Sequence, residues 1–206
     1  MELLLIRHAL PIRREVEVGA ADPELSEAGH AQAQHLADYL ASEELHAIYA
    51  SPMMRAQQTA SPLAERLGLA VSLVEGVAEY DRNSPEYIPV EELKATNDPR
   101  WQQMLENTWD NKDETQDEFD ARVFESVEAI VGDHGGHNVA VVCHGGVINS
   151  YLARILGTPT SRGFFYPNYT SIHRIVAART GQRQIISINE TWHLRGKGLP
   201  IGLYGK

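Results

Sequence analysis

Apolar and polar positions alternate along the chain in a way that predicts strands and helices in turn. Short apolar runs at residues 1–6, 47–50, 70–74 and 138–143 predict buried strands. Between these runs, apolar residues recur every three or four positions, as they do on one face of a helix. Strands separated by helices indicate βαβ units, and therefore a mainly parallel sheet with helices on both of its faces.

Three predicted helices have small and aliphatic residues at this spacing. Their apolar faces comprise Ala33, Leu36, Ala37 and Leu40; Ala56, Ala60, Leu63, Ala64 and Leu67; and Val123, Val127, Ile130 and Val131. A fourth helix is predicted over residues 147–156, with Gly157 at its end. Two apolar runs on either side of a turn at residues 180–181 predict a hairpin near the end of the sequence.

Capping signals place the starts of the first and third helices. Ser26 is a suitable N-cap residue, and Glu27 follows it in the first turn. Thr115 and Glu118 have the spacing of a capping box, in which each side chain accepts a hydrogen from the other residue's backbone.

The second helix carries a proline inside its predicted span. Ser51 and Pro52 have the residue types of an N-cap and a first helical position, and Gly68 marks the end. Pro62 lies between them and lacks the backbone N–H that continues a helix. We therefore expect a kink or a split at this position.

Residues 81–114 break the alternation of strands and helices. The segment is polar and contains three prolines and two tryptophans: Pro85, Pro89, Pro99, Trp101 and Trp109. We interpret residues 81–120 as a lid inserted over one end of the sheet, within a single domain that spans residues 1–206.

Composition narrows the classes of partner. The net charge of −10 argues against nucleic acid or an anionic membrane, so an anionic substrate needs a local cluster of cations. The single cysteine, Cys143, excludes an intramolecular disulfide, and the N-terminal apolar run stops too early for a signal peptide or a membrane span. These features predict a cytoplasmic enzyme or binding protein.

Charged and imidazole side chains follow the predicted strands. Arg7 and His8 come after the first, Arg55 lies in the helix after the second, and His144 follows the strand at 138–143. Ligands bind outside the carboxyl ends of parallel strands. With Gly145 opening a helix beside them, these residues predict a site for a dianion such as a phosphoryl group. Taken singly, each also fits an ordinary surface or loop position.

Five motifs extend this interpretation. In chain order they are LLLIRHA, LSEAGHAQA, SPMMRAQQTA, VAEYD and VVCHGGVI, and a weaker PNYTSI follows at residues 167–172. Together they resemble the histidine phosphatase superfamily, whose fold is phosphoglycerate-mutase-like, over residues 2 to about 156. The resemblance implies a three-layer α/β sandwich with a small insertion over the active site.

The resemblance also implies a role for each candidate residue. His8 would be the nucleophile that forms a phosphohistidine, and Glu79 in VAEYD would be the general acid and base. His144 would assist catalysis and, with Arg7, Arg55 and Gly145, bind the phosphoryl group. No metal or other cofactor is implied. The expected reaction is hydrolysis of small phosphomonoesters by a hydrolase of the phosphatase branch.

One stretch departs from the family pattern. Ala9, Leu10 and Pro11 stand where the family usually has Gly, then Glu or Gln, then Thr or Ser. This removes polar groups beside the site, so the usual substrate contacts are not transferred. Arg13 and Arg14 follow, and they either hold a second anionic group of the substrate or are simply solvated.

Other mechanisms fit the sequence less well. A cysteine phosphatase needs an arginine six positions after its thiolate, where Cys143 is followed instead by Asn149. A metallohydrolase needs a third ligand near His134 and His137. A P-loop kinase needs a GxxxxGK[ST] motif, which is absent. A non-catalytic phosphate-binding module stays open.

A phosphoglycerate-mutase-type isomerase is the main alternative to a phosphatase. A mutase retains the phosphoryl group and excludes water, whereas a phosphatase admits water. Residues 106–120 are strongly acidic, with Lys112 as their one cation, and make a poor cover for a bisphosphate. The pattern therefore favours a phosphatase, and the predicted terminal hairpin leaves a homodimer open.

Overall fold

The computed structural model describes residues 1–106, 114–159 and 163–204. Its strands in these ranges are β1 (Glu2–Arg7), β2 (Arg14–Glu15), β3 (Ala47–Ala50), β4 (Val71–Leu73), β5 (Glu86–Tyr87), β6 (Asn138–Cys143), β7 (Ile172–Ala177) and β8 (Arg183–Glu190). Its α-helices there are α1 (Glu27–Leu40), α2 (Met54–Leu67), α3 (Val90–Ala95), α4 (Pro99–Glu106), α5 (Gln116–Asp133) and α6 (Gly145–Leu156).

Six strands form the central sheet, in the order β4-β3-β6-β1-β7-β8. The strands from β4 to β1 run parallel, whereas β7 is antiparallel to both of its neighbours. In the register of the sheet, Arg7 of β1 lies opposite Cys143 of β6, and Ala50 of β3 lies opposite Val142. Three carboxyl ends therefore meet at one edge.

Two hydrophobic cores lie on opposite faces of this sheet. Because side chains alternate along a strand, Leu3 and Leu5 of β1 face one core, and Leu4 and Ile6 face the other. The first core contains the apolar faces of α5 and α6, and the second contains those of α1 and α2. The predicted three-layer α/β sandwich is confirmed.

The strands and caps follow the sequence patterns closely. The strands at 47–50 and 138–143 have the predicted bounds, and the third spans only Val71–Leu73 at the edge of the sheet. Ser26 caps α1, and Thr115 and Glu118 form the predicted capping box of α5. Gly157 ends α6 in the left-handed conformation, and β7 and β8 form the predicted hairpin.

The predictions for the second helix need two corrections. Its N-cap is Met53, and Ser51 makes a different contact, described below. Pro62 does not split α2, which runs through it as one helix. The buried residues Ala56, Ala60, Leu63 and Ala64 lie on both sides of the proline and pack in the second core, which holds the helix together.

The inserted segment, predicted at residues 81–120, adds short elements beside the sheet. In its described part, β5 pairs with β2, and α3 and α4 follow. Trp109, one of the two tryptophans of this segment, lies outside the described residues. None of the described helices is both long and apolar enough to cross a lipid bilayer.

Candidate active site

The ends of β1 and β6 bring two histidines together. The backbone N–H of His8 donates to the carbonyl of Cys143 at 2.9 Å, so that His8 and His144 leave neighbouring strands side by side. Their ring centroids lie 5.1 Å apart, and both side chains are buried. The sheet therefore places both predicted histidines at one point.

The ring of His8 has one nitrogen fixed by the backbone. Its Nδ1 lies 2.7 Å from the carbonyl oxygen of Ala9, a contact that requires the hydrogen on Nδ1. The Ala9 N–H in turn donates to Oγ1 of Thr59 at 2.9 Å. Burial, together with Arg55 and Arg7, holds the pKa of His8 well below its usual value. The ring is consequently neutral, with a lone pair on Nε2.

Two buried arginines lie beside these rings with unused hydrogen-bond donors. Arg7 donates from Nη1 to the carbonyl of Pro167 at 2.6 Å, and Arg55 donates from Nη2 to Asp81 at 3.0 Å. Within the described residues, Nε of both arginines and Nη1 of Arg55 have no hydrogen-bond partner. Unpaired cationic donors are costly in a protein interior, so these atoms indicate a site for an anion.

Aromatic rings hold both guanidinium groups in place. The guanidinium carbon of Arg7 lies 4.2 Å from the ring centroid of Tyr169 and 4.9 Å from that of Tyr166. Tyr87 covers Arg55 at 4.6 Å. The described part of the inserted segment, which supplies Tyr87, thus contacts the cluster of cations directly.

A carboxylate from α3 ties two of these tyrosines together. Glu91 accepts hydrogen bonds from the hydroxyls of Tyr166 and Tyr169, at 3.1 and 3.0 Å. Since both rings pack on Arg7, the inserted segment contributes to the orientation of this arginine.

Glu79 lies over the N-terminus of α6. Its Oε2 accepts from the backbone N–H of Gly146 at 2.8 Å, and its Oε1 accepts from that of Tyr80 at 3.0 Å. Burial, followed by the charge of Asp81, raises the pKa of Glu79 above its usual value. A carboxyl group of this kind can hold a proton at a higher pH than an exposed glutamate.

A partly buried ion pair between Arg122 and Glu114 fixes the backbone that carries Glu79. Arg122 donates from Nη1 to the carbonyls of Gly76 and Ala78, at 3.0 and 2.9 Å. The same arginine donates from Nη2 to Glu114 at 2.6 Å. The position of Glu79 is thereby set by contacts from α5.

His144 caps the N-terminal end of α6, and Gly145 is the first residue of that helix. Burial, then the cations Arg55 and Arg7 and the neighbouring His8, keep the pKa of His144 well below its usual value, so its ring is neutral. The structure thus brings together Arg7, His8, Arg55, Glu79, His144 and Gly145, the six residues singled out from the sequence.

The sequence also matches a known protein family, the one that its motifs resemble. The profile of the histidine phosphatase superfamily (branch 1) matches residues 3–191. The chain belongs to this superfamily. The family prediction is therefore confirmed.

Named relatives of this superfamily member include phosphatases and mutase-like proteins. Phosphoserine phosphatase 1 of Hydrogenobacter thermophilus is 29% identical over 94% of both chains. Phosphoglycerate mutase-like protein 4 of Arabidopsis thaliana is 28% identical over 74% of this chain and 70% of its own. Among solved structures, phosphoserine phosphatase of Entamoeba histolytica, in complex with 3-phosphoglyceric acid, has a TM-score of 0.74. It is 24% identical, and the match covers 94% of this chain and 98% of that chain.

Other candidate residues of this superfamily member have ordinary partners. Arg13 forms ion pairs with Glu15 and Glu92, and Arg14 forms one with Glu24. All are exposed, which favours solvated ion pairs over a second anion site.

The alternative catalytic groups lie in unsuitable surroundings. Burial raises the pKa of Cys143, which keeps this thiol protonated. His134 contacts the hydroxyl of Tyr49 at 2.8 Å, and His137 stacks on His46. In the described ranges, no group of three or more His, Cys, Asp or Glu side chains could hold a metal ion.

Sequence reasoning missed the residues that support the site. Ser51 and Thr59 lie inside the motif SPMMRAQQTA, but their contacts are not readable from it. Tyr169 lies inside PNYTSI, whereas Glu91 and Tyr166 belong to no motif. Their partners are distant along the chain, so no local pattern identifies them.

Proposed function

We propose that this chain is a phosphomonoester hydrolase that works through a phosphohistidine on His8. The observation that carries this proposal is the state of His8: a neutral ring, tied at Nδ1, beside the unpaired donors of Arg7 and Arg55. Such a ring has its lone pair on Nε2, and the arginines offer hydrogen bonds to phosphoryl oxygens.

The first step transfers the phosphoryl group to the enzyme. Nε2 of His8 forms a bond to phosphorus as the bond from phosphorus to the ester oxygen breaks. The protonated carboxyl of Glu79 gives its proton to that oxygen, and an alcohol leaves. Arg7, Arg55 and His144 stabilise the charge on the transferring oxygens.

The second step returns His8 to its starting state. Glu79, now a carboxylate, takes a proton from water as the water oxygen bonds to phosphorus. The bond from phosphorus to Nε2 breaks, its electron pair returns to the ring, and phosphate leaves. Glu79 thus regains its proton, which makes the cycle complete.

The charges around the pocket favour substrates with one phosphoryl group. Arg13 and Arg14 already pair with glutamates. Asp81 bonds to Arg55, and Glu91 holds the tyrosines that pack on Arg7. A second strongly anionic group would be repelled there. Phosphoserine is the first substrate to test, because it is named for the relative in Hydrogenobacter thermophilus.

The same charges weigh against a mutase. A mutase passes through a bisphosphorylated intermediate, and the acidic groups beside the pocket disfavour such a ligand. The match to the phosphoserine phosphatase relative also covers more of both chains than the match to the mutase-like relative does.

We further propose that residues 81–120 act as a lid. A homodimer and a cytoplasmic location stay predictions.

A panel of phosphomonoesters tests this function. Phosphoserine, phosphoethanolamine and 3-phosphoglycerate are assayed for phosphate release, each with and without bisphosphoglycerate, using wild type and His8→Asn. We expect phosphate release that needs no bisphosphoglycerate and is lost in His8→Asn. Phosphoryl transfer that depends on bisphosphoglycerate indicates a mutase, and binding without turnover indicates a phosphate-binding module.

A further inference from the structure

Ser51 is a fully buried hydroxyl residue at the end of β3. Its backbone N–H donates to the carbonyl of Val142 at 2.9 Å, which fixes it beside the strand that leads into His144. Its side-chain oxygen lies 2.7 Å from Nε2 of His144. The serine that resembles a helix cap in the sequence therefore contacts a predicted catalytic residue.

The direction of this hydrogen bond follows from the other partner of Ser51. The backbone N–H of Met53 also contacts the hydroxyl oxygen, at 3.3 Å, and an N–H can only donate. The hydroxyl hydrogen has one acceptor among the described residues, which is Nε2 of His144. Reversing the bond would leave this buried hydrogen without an acceptor.

A hydroxyl that donates to Nε2 leaves the ring hydrogen on Nδ1. In the described part of the chain, Nδ1 of His144 is buried and has no protein partner. A neutral imidazole donates through one nitrogen only, so the placement of its hydrogen decides whether this free nitrogen donates or accepts. A donor attracts a phosphoryl oxygen, and a bare lone pair repels it.

We infer that Ser51 is a positioning residue, which keeps the hydrogen of neutral His144 on Nδ1 and so makes this ring a donor to the phosphoryl group. The inference rests on the proposed function for its catalytic consequence. Its structural part concerns the free enzyme alone and can be measured without a substrate.

The surroundings of His144 explain why a neighbouring residue is needed to fix its tautomer. Burial acts most strongly against a positive charge on this ring and so lowers its pKa, and the nearby Arg55, His8 and Arg7 act in the same direction. An imidazolium would donate from both nitrogens and need no help. Because the ring stays neutral, a neighbour has to choose which nitrogen donates.

Nitrogen NMR of the histidine side chains tests the structural part. The shift of each ring nitrogen reports whether it carries the hydrogen, and loss of one signal set in His144→Asn assigns His144 among the nine histidines. We expect the Nδ1–H form in wild type and a mixture of forms, or the Nε2–H form, in Ser51→Ala. An Nε2–H form in wild type, or no change in Ser51→Ala, would overturn the inference.

The chain offers a matched control for this substitution. Ser171 is also fully buried, and its hydroxyl lies 3.0 Å from Nε2 of His173. Ser171→Ala removes the same type of contact at another histidine, so it should leave the His144 signals unchanged. A change in those signals in Ser171→Ala as large as that in Ser51→Ala would mean that general loosening, rather than the lost hydroxyl, sets the tautomer.

Kinetics tests the catalytic part. Removing a preorganised donor costs about 100- to 1000-fold in rate, and losing only its orientation should cost less, about tenfold in kcat/KM for Ser51→Ala. Ser51→Thr, which keeps the hydroxyl, should recover most of this loss together with the Nδ1–H signal. Activity unchanged in Ser51→Ala despite an altered tautomer would overturn the catalytic part.

Two further outcomes separate this inference from the proposed function. If wild type hydrolyses no phosphomonoester, the proposed function fails, and the NMR result still decides the role of Ser51. If the threonine methyl does not fit and Ser51→Thr unfolds, the comparison of Ser51→Ala with Ser171→Ala decides alone.

Discussion

The backbone N–H of Gly146 donates to Oε2 of Glu79 at 2.8 Å, and no side chain fits between the two residues. A Cβ at position 146 would lie 2.3 Å from Oε1 of that carboxylate and 3.1 Å from its carboxyl carbon. The second residue of α6 therefore has to be glycine for Glu79 to occupy this place. The helix N-terminus and the proposed general acid are a single packed unit.

Gly146→Ala should displace Glu79 and lower activity without lowering stability. General acid catalysis is worth about 100- to 10,000-fold, and a displaced acid should lose part of it, about 10- to 100-fold in kcat. Alanine has a higher helix propensity than glycine, so the change in the backbone should not by itself lower the midpoint of thermal unfolding. Steady-state kinetics and thermal unfolding measure the two effects.

Gly132→Ala is the control for this substitution. Gly132 also lies within a helix, α5, and a Cβ there would have no heavy atom within 4 Å. We expect its kinetics to match wild type. Equal kinetics in Gly146→Ala and wild type would contradict the assignment of Glu79 as the general acid.

Glu79→Gln separates the two steps of the reaction. Glutamine keeps the shape of the side chain but cannot transfer the proton, so alkyl phosphates should react about 100- to 10,000-fold more slowly. Nitrophenolate is a stable anion and leaves without being protonated, so nitrophenyl phosphate should still phosphorylate the enzyme. Stopped-flow absorbance should then show a burst of nitrophenol followed by slow turnover.

An equal loss for both substrates, with no burst, would assign Glu79 to binding or folding. The proton donor would then be sought among the neighbouring carboxylates, with Asp81 and Glu86 as the first candidates. Asp81 already bonds to Arg55, and Glu86 forms an ion pair with Arg100. Each of these carboxylates is therefore held by an arginine, whereas Glu79, among the described residues, accepts only from backbone N–H groups, at 2.8 and 3.0 Å.

The pH dependence of the first step should follow the proton on Glu79. Burial and the charge of Asp81 raise the pKa of this carboxyl, so the acid form persists to a higher pH than for an ordinary glutamate. As pH rises through the raised pKa, the protonated fraction falls, and kcat/KM for an alkyl phosphate should fall about tenfold per pH unit.

Glu79→Gln provides the reference for this profile. Ionisation of the substrate affects the variant and the wild type equally, whereas only the wild type has the ionisation of Glu79. The ratio of wild-type to variant kcat/KM therefore reports the ionisation of Glu79 alone. We expect this ratio to decrease as pH rises. A ratio that stays constant with pH would show that the proton on Glu79 takes no part in the step.

The sequence predicted the sheet and placed five of the six candidate residues at strand or helix ends, because both depend on local patterns. Glu79, in contrast, was named only through the resemblance of VAEYD to the family. The buried strand at 138–143 is an uninterrupted apolar run, and the residues after it must leave the sheet at its carboxyl edge. Register between parallel strands then brings His8 to His144. Short motifs at strand ends therefore carried most of the information about the site.

The supporting contacts could not be predicted because they join distant parts of the chain. Ser51 and Pro52 have the local pattern of a helix start, yet the hydroxyl bonds to His144, 93 positions away. Glu91 meets Tyr166 and Tyr169 only because α3 lies against the segment that precedes β7. Pro62 is tolerated because packing on both sides of it outweighs its local preference.

The central claim is a covalent phosphohistidine on His8, and trapping it is the most direct test. Rapid quench of Glu79→Gln with radiolabelled nitrophenyl phosphate should accumulate the intermediate, because this variant forms it but hydrolyses it slowly. We predict label that is stable in base, labile in acid, located on the peptide containing His8, and absent from the double variant with His8→Asn. Label on Cys143 or on a serine, or a nitrophenol burst with no protein-bound label, would contradict the mechanism.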